Sequence, residues 1–240
     1  FNEKHDVHVM VLGQLDNSVS NSPASLYLPY NMLYMSARAT YTYDNRYTAE
    51  VNVGINGSEQ FSKENRWGIF PAVSVGWTVS EEKFFKDNID RKWIDFLKIR
   101  ASYGIVGNDR LGESRFLYLD DVRVTYNQGY VNNGTVIPSL GRGNYVATSL
   151  LGNLNLKWEK ARQQNYGLDI NFLNGFSFNF DYFREMRDDI LVARSTVPLV
   201  QGLPSSVLPR VNMGKVENHG YEMVLGWQKA LGKDWFITMS

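Results

Sequence analysis

The stretch RYTAEVNVGIN, residues 46–56, sets Tyr47, Ala49, Val51, Val53 and Ile55 at alternate positions, with Thr48, Glu50, Asn52, Gly54 and Asn56 between them. Side chains leave a β-strand on opposite faces in turn, so this segment has one apolar and one polar side. The alternation recurs in LKIRASYGI (97–105), YGLDINF (166–172) and FSFNFDY (176–182). Tilted strands of roughly 9 to 11 residues cross a hydrocarbon core. The pattern predicts the wall of an all-β, antiparallel transmembrane β-barrel.

Composition narrows the alternatives. With 43% hydrophobic residues, the 240-residue chain has enough apolar side chains for a sizeable core or a membrane-facing coat. Lys plus Arg equals Asp plus Glu at 25 each, so no net field recruits nucleic acid. The absence of cysteine excludes disulfides, thiolate metal sites and cysteine nucleophiles. No run of about 18 apolar residues exists, which excludes a helical membrane protein. A barrel survives that test, because its polar lumen residues cancel the apolar ones in any window average. Phe1 follows no leader and Ser240 falls inside an apparent strand, so 1–240 is expected to be a partial barrel domain of a longer protein.

Counting alternating segments predicts about nine strands, at 6–14, 34–43, 46–56, 67–80, 96–106, 159–172, 176–183, 216–228 and from 235 onward. Asp44-Asn45 and Leu173-Asn174-Gly175 read as tight turns, the latter with Asn-Gly supplying positive φ. Long connections at 16–33, 57–66, 107–158 and 184–210 alternate with shorter ones, as outer-membrane barrels alternate extracellular loops with periplasmic turns. The connection EEKFFKDNIDRKW (81–93) is too long for a tight turn and predicts a short helix under the rim.

Aromatics gather near strand ends: Tyr41, Tyr43 and Tyr47, then Trp67 and Trp77, then Trp227 and Trp235. Such rings suit a girdle at headgroup level. The opposite face carries Ser36, Arg38, Thr40 and Thr42, then Lys98, Arg100, Ser102 and Gly104, then Asn165, Gly167, Asp169 and Asn171, a mixture suited to a hydrated lumen. Arg38, Glu50, Lys98 and Arg100 are the candidate lumen-facing charges, hydrating a transport path and meeting a plug. A soluble carbohydrate-binding β-sandwich has the same alternation and is the rival reading; it would bury Val51, Val53, Phe178 and Phe180 between sheets.

Several strings are family-like. RWGIFPAVSVGWTVSEE (66–82), LKIRASYGIVGN (97–108), LKWEKARQQNYGLD (156–169), FSFNFDYF (176–183) and VNMGKVENHGYE (211–222) occur in this order. Together they resemble the SusC/RagA family of TonB-dependent outer-membrane transporters. The resemblance implies a Gram-negative outer-membrane barrel of about 22 strands, closed by an N-terminal plug. It further implies import of oligosaccharides or peptides beneath a SusD-like surface lipoprotein, energised by TonB through a segment before the plug. Plug, TonB-contacting segment and remaining strands are expected elsewhere in the parent chain. A siderophore or cobalamin receptor is the nearer rival.

No enzymatic chemistry is indicated. His5 and His8 are an odd number of positions apart, hence on opposite faces of a strand, and no shared metal is expected. Asp120-Asp121 and Asp188-Asp189 read as solvated loop charge rather than cation sites. Gly141-Arg142-Gly143 lacks the third glycine and helix of a dinucleotide site, and no G-x-S-x-G elbow occurs. Ser102 and His219 could be cast as the serine and histidine of an outer-membrane hydrolase, but nothing in the sequence places them together. No cofactor is implied. The insertion 107–158 is the segment expected to meet ligand, through Tyr118, Tyr126, Tyr130 and Tyr145 among Asn and Gln side chains, because flat rings and amides suit sugars.

Overall fold

The computed structural model describes residues 4–19, 29–110, 115–132, 135–173, 175–194, 205–231 and 235–239. For 125–132, 135–145, 147, 205, 230, 231, 235 and 236 it describes the backbone alone. The strands are β1 (His5–Ser18), β2 (Tyr30–Tyr43), β3 (Tyr47–Ser58), β4 (Trp67–Thr78), β5 (Ile94–Asn108), β6 (Asp121–Asn132), β7 (Thr135–Leu150), β8 (Glu159–Phe172), β9 (Phe176–Val192), β10 (Val211–Leu231) and β11 (Trp235–Met239). Nine of them form one open antiparallel sheet in chain order, β1 to β5 and then β8 to β11, while β6 and β7 pair as a separate hairpin.

The sheet is the predicted barrel wall, with β1 and β11 as its edges. The insertion 107–158, read from the sequence as a loop, contains the β6–β7 hairpin. Strands β9 and β10 also run well past 183 and begin well before 216.

Register keeps the two faces distinct across the sheet. One row of Cα partners joins Tyr43, Tyr47, Trp77, Ile99, Leu168, Phe180 and Met223. A neighbouring row, on the other face, joins Thr40, Glu50, Ser74, Ser102 and Asn165. The apolar stripe lies uncovered: Val9 is 71% exposed, Val51 51%, Ile69 64% and Val75 58%. A sandwich would bury this stripe, so the soluble rival does not describe this fold.

The stripe also drifts along the strands. From the row of Trp77 and Phe180 it extends ten residues to Trp67 on β4, but only two, to Tyr182, on β9. At its other edge it ends at Trp77 on β4 and four residues beyond that row, at Phe176, on β9. A level band on strands about 4.8 Å apart and tilted about 45° slides by about 1.5 residues per strand. The drift has the direction and scale of a tilted barrel wall.

Short and long connections sort to opposite ends. Asp44 and Asn45 take φ of 50° and 54°, the paired positive values of a type I′ hairpin. In the turn after β8, positive φ falls on Leu173 (50°) and Gly175 (145°); Asn174 lies outside the described residues. The connection after β4 is helical as expected, a 3₁₀ turn (Val79–Glu81) followed by α1 (Lys83–Asn88).

Glu82 ties this turn to the neighbouring hairpin. Its carboxylate accepts from Tyr47 Oη at 2.5 Å, Trp77 Nε1 at 3.2 Å and Arg46 Nη1 at 3.1 Å, and Arg46 also pairs with Asp44. The Tyr47 hydrogen bond, helped by Trp77 and Arg46 against the opposing effect of burial, holds the Glu82 pKa below the ordinary carboxylate value. A depressed carboxyl pKa contributes stability above the unfolded-state pKa and loses it as pH falls through the folded-state pKa. Acidification below about pH 4.5 is therefore expected to detach this turn, read as a change in Trp77 fluorescence. Glu82→Gln should abolish that acid transition, and an unchanged transition in the variant would assign it elsewhere.

The apolar core sits at the loop end, where Met32, Phe61, Phe70, Leu117, Leu156 and Trp158 cluster. Its shape follows from Pro71. The β4–β5 ladder stops at Ala72↔Gly104, next to a residue with no N–H to donate. Above that point the Phe70 ring lies against Gly68 and Gly107, where any Cβ would overlap it, and edge-on to Trp158 at 5.3 Å. Side-chain packing there replaces backbone pairing.

Candidate functional site: the polar face and its rim

On the polar face, Arg100 reaches across two strands. Its Nη2 donates to Asp181 on β9 at 2.7 Å, and its Nε and Nη2 donate to Asp169 on β8 at 3.1 and 3.2 Å. The side chain passes over its register partner Gly167, where an added Cβ would stand 2.5 Å from Arg100 Cζ. Asn179 Nδ2 donates to Asp169 at 2.8 Å and holds the acceptor in place. Glycine at 167 is thus the condition for the bridge.

The other expected charges lie on the same face. Arg38 Nη2 donates to Glu50 at 2.6 Å, and Thr40 Oγ1 donates to the same Glu50 oxygen at 3.1 Å. The Lys98 side chain extends over Gly76, whose absent Cβ would be 3.2 Å from Lys98 Cε. These ion pairs are partly solvated, with the Arg38 side chain 48% exposed and Arg100 36%. Each contributes on the order of 1 kcal/mol or less.

Gly167→Ala is expected to displace the guanidinium and cost about 1–2 kcal/mol. In an Arg100→Ala background the same change should be nearly silent, a coupling that a double-mutant cycle in denaturant measures. Equal costs in both backgrounds would show that Gly167 matters for another reason.

The rim at the loop end is cross-tied by residues that carry no periodic signal. Asp109 accepts from Tyr30 Oη and from the buried Ser58 Oγ, the latter at 2.8 Å. Gln60 Oε1 accepts from Phe116 N at 3.2 Å, and Ser62 Oγ donates to the Leu154 carbonyl at 2.9 Å. Trp158 Nε1 donates to the Arg66 carbonyl at 3.2 Å, and Arg115 lies 5.5 Å from the centre of the Tyr30 ring. Three connections, after β3, β5 and β7, are joined in this way, with Tyr30 at the start of β2 tied in through Asp109.

The expected ligand tyrosines divide. Tyr118 packs against the rim core and edge-on to Phe116 at 6.3 Å, an anchoring position. Tyr126 and Tyr130 lie on β6 and Tyr145 on β7, with side chains outside the described residues. Sequence reasoning missed Asp109, Ser58, Phe61 and Trp158; the sole local cue was their clustering next to strand ends.

The acidic pairs are held by the chain's own groups. Asp121 engages Ser149 and Arg123, Asp188 engages Arg162, and Asp189 engages Lys157. His5 bonds Tyr41 and His8 bonds Asp6. Ser102 shares the row of Asn165, Phe183 and Gly220, so His219, one position from Gly220, lies on the opposite face. That register does not assemble a nucleophile and base.

A family model described as "TonB dependent receptor-like, beta-barrel" matches residues 27–240. TonB-dependent receptor P39 of Formosa agariphila is 36% identical over 188 residues, covering 78% of this chain and 16% of that protein. TonB-dependent receptor SusC of Bacteroides thetaiotaomicron is 34% identical over 207 residues, covering 85% of this chain and 19% of that protein. The chain thus spans less than a fifth of the length of these curated relatives. Among solved structures, that of the RagAB peptide importer in the "closed-closed" state superposes with a TM-score of 0.74 at 22% identity, covering 99% of this chain and 27% of that one. With the family model spanning nearly the whole sheet, and the wall, register and turn pattern in agreement, the chain belongs to the TonB-dependent receptor-like β-barrel family and is SusC-like within it.

Proposed function

We propose that residues 1–240 form part of the wall of a TonB-energised nutrient importer in a Gram-negative outer membrane. The uncovered apolar stripe faces acyl chains, and Arg38, Glu50, Lys98 and Arg100 face a water-filled lumen and its plug. A plug and a TonB-contacting segment belong to other parts of the parent chain, and a SusD-like lipoprotein covers the loop end. Cargo is an oligosaccharide or a peptide, met at the rim by loop aromatics that include Tyr118, Tyr126, Tyr130 and Tyr145. The wall itself performs no bond chemistry.

One observation carries this reading: the apolar stripe stays uncovered over nine strands while the other face carries the charges, Arg38 paired with Glu50 and Arg100 with Asp181. A charged residue turned toward lipid near the midplane costs about 2–4 kcal/mol, which a polar face avoids by looking inward. Similarity to a TonB-dependent receptor named SusC, and a fold shared with a structure named as a peptide importer, supports import as the activity.

Spin labels at Arg38, Arg100 and Val53 of the full-length protein in vesicles test the facing. Labels at the two arginines should relax with a water-soluble reagent and the label at Val53 with oxygen. Lipid-type accessibility at either arginine would overturn the assignment. Uptake of labelled oligosaccharides and peptides by cells with and without the gene separates the cargo classes.

A further inference from the structure

Above its upper edge on β8, β9 and β10, the outward stripe changes character. Tyr166, Tyr182 and Tyr221 form its last row, with the first two rings stacked at 6.4 Å and Tyr221 69% exposed. The next row on the same face is Gln164, Arg184 and His219, then Arg162, Met186 and Glu217, then Lys160 with Asp188. Lys215 follows on β10 and approaches Asp188 at 3.7 Å.

Arg184 pairs with Glu217 at 2.7 Å and Arg162 with Asp188 at 3.1 Å. Four cations therefore face two carboxylates, and the surplus charge is positive. On β1 to β4 the same face stays uncharged to the loop end, through Leu15, Leu33 and Trp67. Among the described residues the cationic patch on this face is confined to β8–β10.

We propose that this patch binds the phosphate-bearing headgroup of an outer-leaflet lipid whose acyl chains lie against Tyr166, Tyr182, Tyr221 and Phe180. The inference rests on the outward facing of the stripe proposed above. Position argues for a lipid rather than a soluble anion. Successive rows are about 7 Å apart along a strand and about 5 Å apart in height at 45° tilt. Arg184, one row above the tyrosines, thus falls within the headgroup layer, which adds about 5–8 Å on each side of the hydrocarbon. Arg162, a row higher, stands at its outer edge, within reach of a long flexible side chain. The tyrosines beneath them have an apolar body for the chains and a hydroxyl for the interface. Glu217 and Asp188 hold the guanidinium groups in place without cancelling the patch.

The test uses the full-length protein in dioleoylphosphatidylcholine vesicles containing bisphosphorylated lipid A or its phosphate-free counterpart, with lipid retained after re-extraction counted by mass spectrometry. Each basic residue at a charged surface changes affinity by about fivefold. Wild type, with its surplus of two cations, should retain the bisphosphorylated form about 25-fold over the phosphate-free form. Arg162→Ala/Arg184→Ala should lose about 25-fold. Lys160→Ala/Lys215→Ala, which leaves both guanidinium pairs intact, should lose about 25-fold likewise. Equal retention by wild type and both variants would overturn the proposal, as would displacement of the lipid by millimolar inorganic phosphate, which would mark a soluble-anion site. A spin label at Phe180 separates the two levels: water-type accessibility there removes the outward facing itself, whereas oxygen-type accessibility with unchanged lipid retention removes only the headgroup site.

Discussion

Val51→Arg is expected to destabilise the folded protein in a bilayer by about 2–4 kcal/mol, while Asn52→Arg, one residue along the same strand, changes stability by no more than about 0.5 kcal/mol. Val51 sits midway along the apolar stripe of β3, 51% exposed, with Ala39 and Val73 as register partners. Asn52 lies on the face that carries Arg38 and Glu50, so an added guanidinium there stays in water. Denaturant unfolding of the full-length protein in phosphatidylcholine vesicles gives both values. Equal tolerance at the two positions would mean that the stripe does not meet hydrocarbon.

Phe61→Ala should cost about 3–5 kcal/mol at the loop end and leave the wall folded. Phe61 has no solvent exposure, its ring lies 5.2 Å from that of Trp158, and both belong to the one apolar cluster that gathers the loops. The cavity left by the ring removes contact from Trp158 and loosens the bases of three connections together. Limited proteolysis should then cut within 109–158 at least tenfold faster, as expected where local opening becomes easier, with strands β3 to β5 still protected. A loss below about 1 kcal/mol with unchanged cleavage would show that the loops hold their shape without this core.

Much of the wall was legible because each of its strands repeats one rule. Alternation in 46–56 fixed the two faces of β3, and the same rule located all nine strands of the sheet. Asp44-Asn45 announced its turn by residue type, and Phe84 and Phe85 among charges announced α1. The hairpin β6–β7 went unread although DVRVTY alternates, because the Asn, Gln and Gly that follow blur the period into loop composition.

The site was less legible than the wall. Arg38, Glu50, Lys98 and Arg100 share a face by parity alone, which the sequence contains. That Arg100 needs Gly167, and that Asp181 is its acceptor, depends on strands far apart in the chain. Glu82 reads as one of two adjacent acids, yet three of its partners come from Arg46, Tyr47 and Trp77. Phe61, Leu117 and Leu156 lie in irregular segments where neither a period of two nor one of 3.6 applies. Contacts of that kind leave no periodic trace.

The parting of β4 and β5 above Pro71 makes the wall mechanically uneven. Below Ala72 the two strands are laced by main-chain amides, and separating them breaks several bonds at once. Above it the Phe70 ring of β4 packs over Gly107 of β5 and against Trp158, a contact of side chains that yields more readily than a ladder of main-chain bonds. Force on the loops therefore bends the rim along this line and spares the lower wall, as a dart in cloth lets a sleeve flex at the cuff without straining the seam beneath.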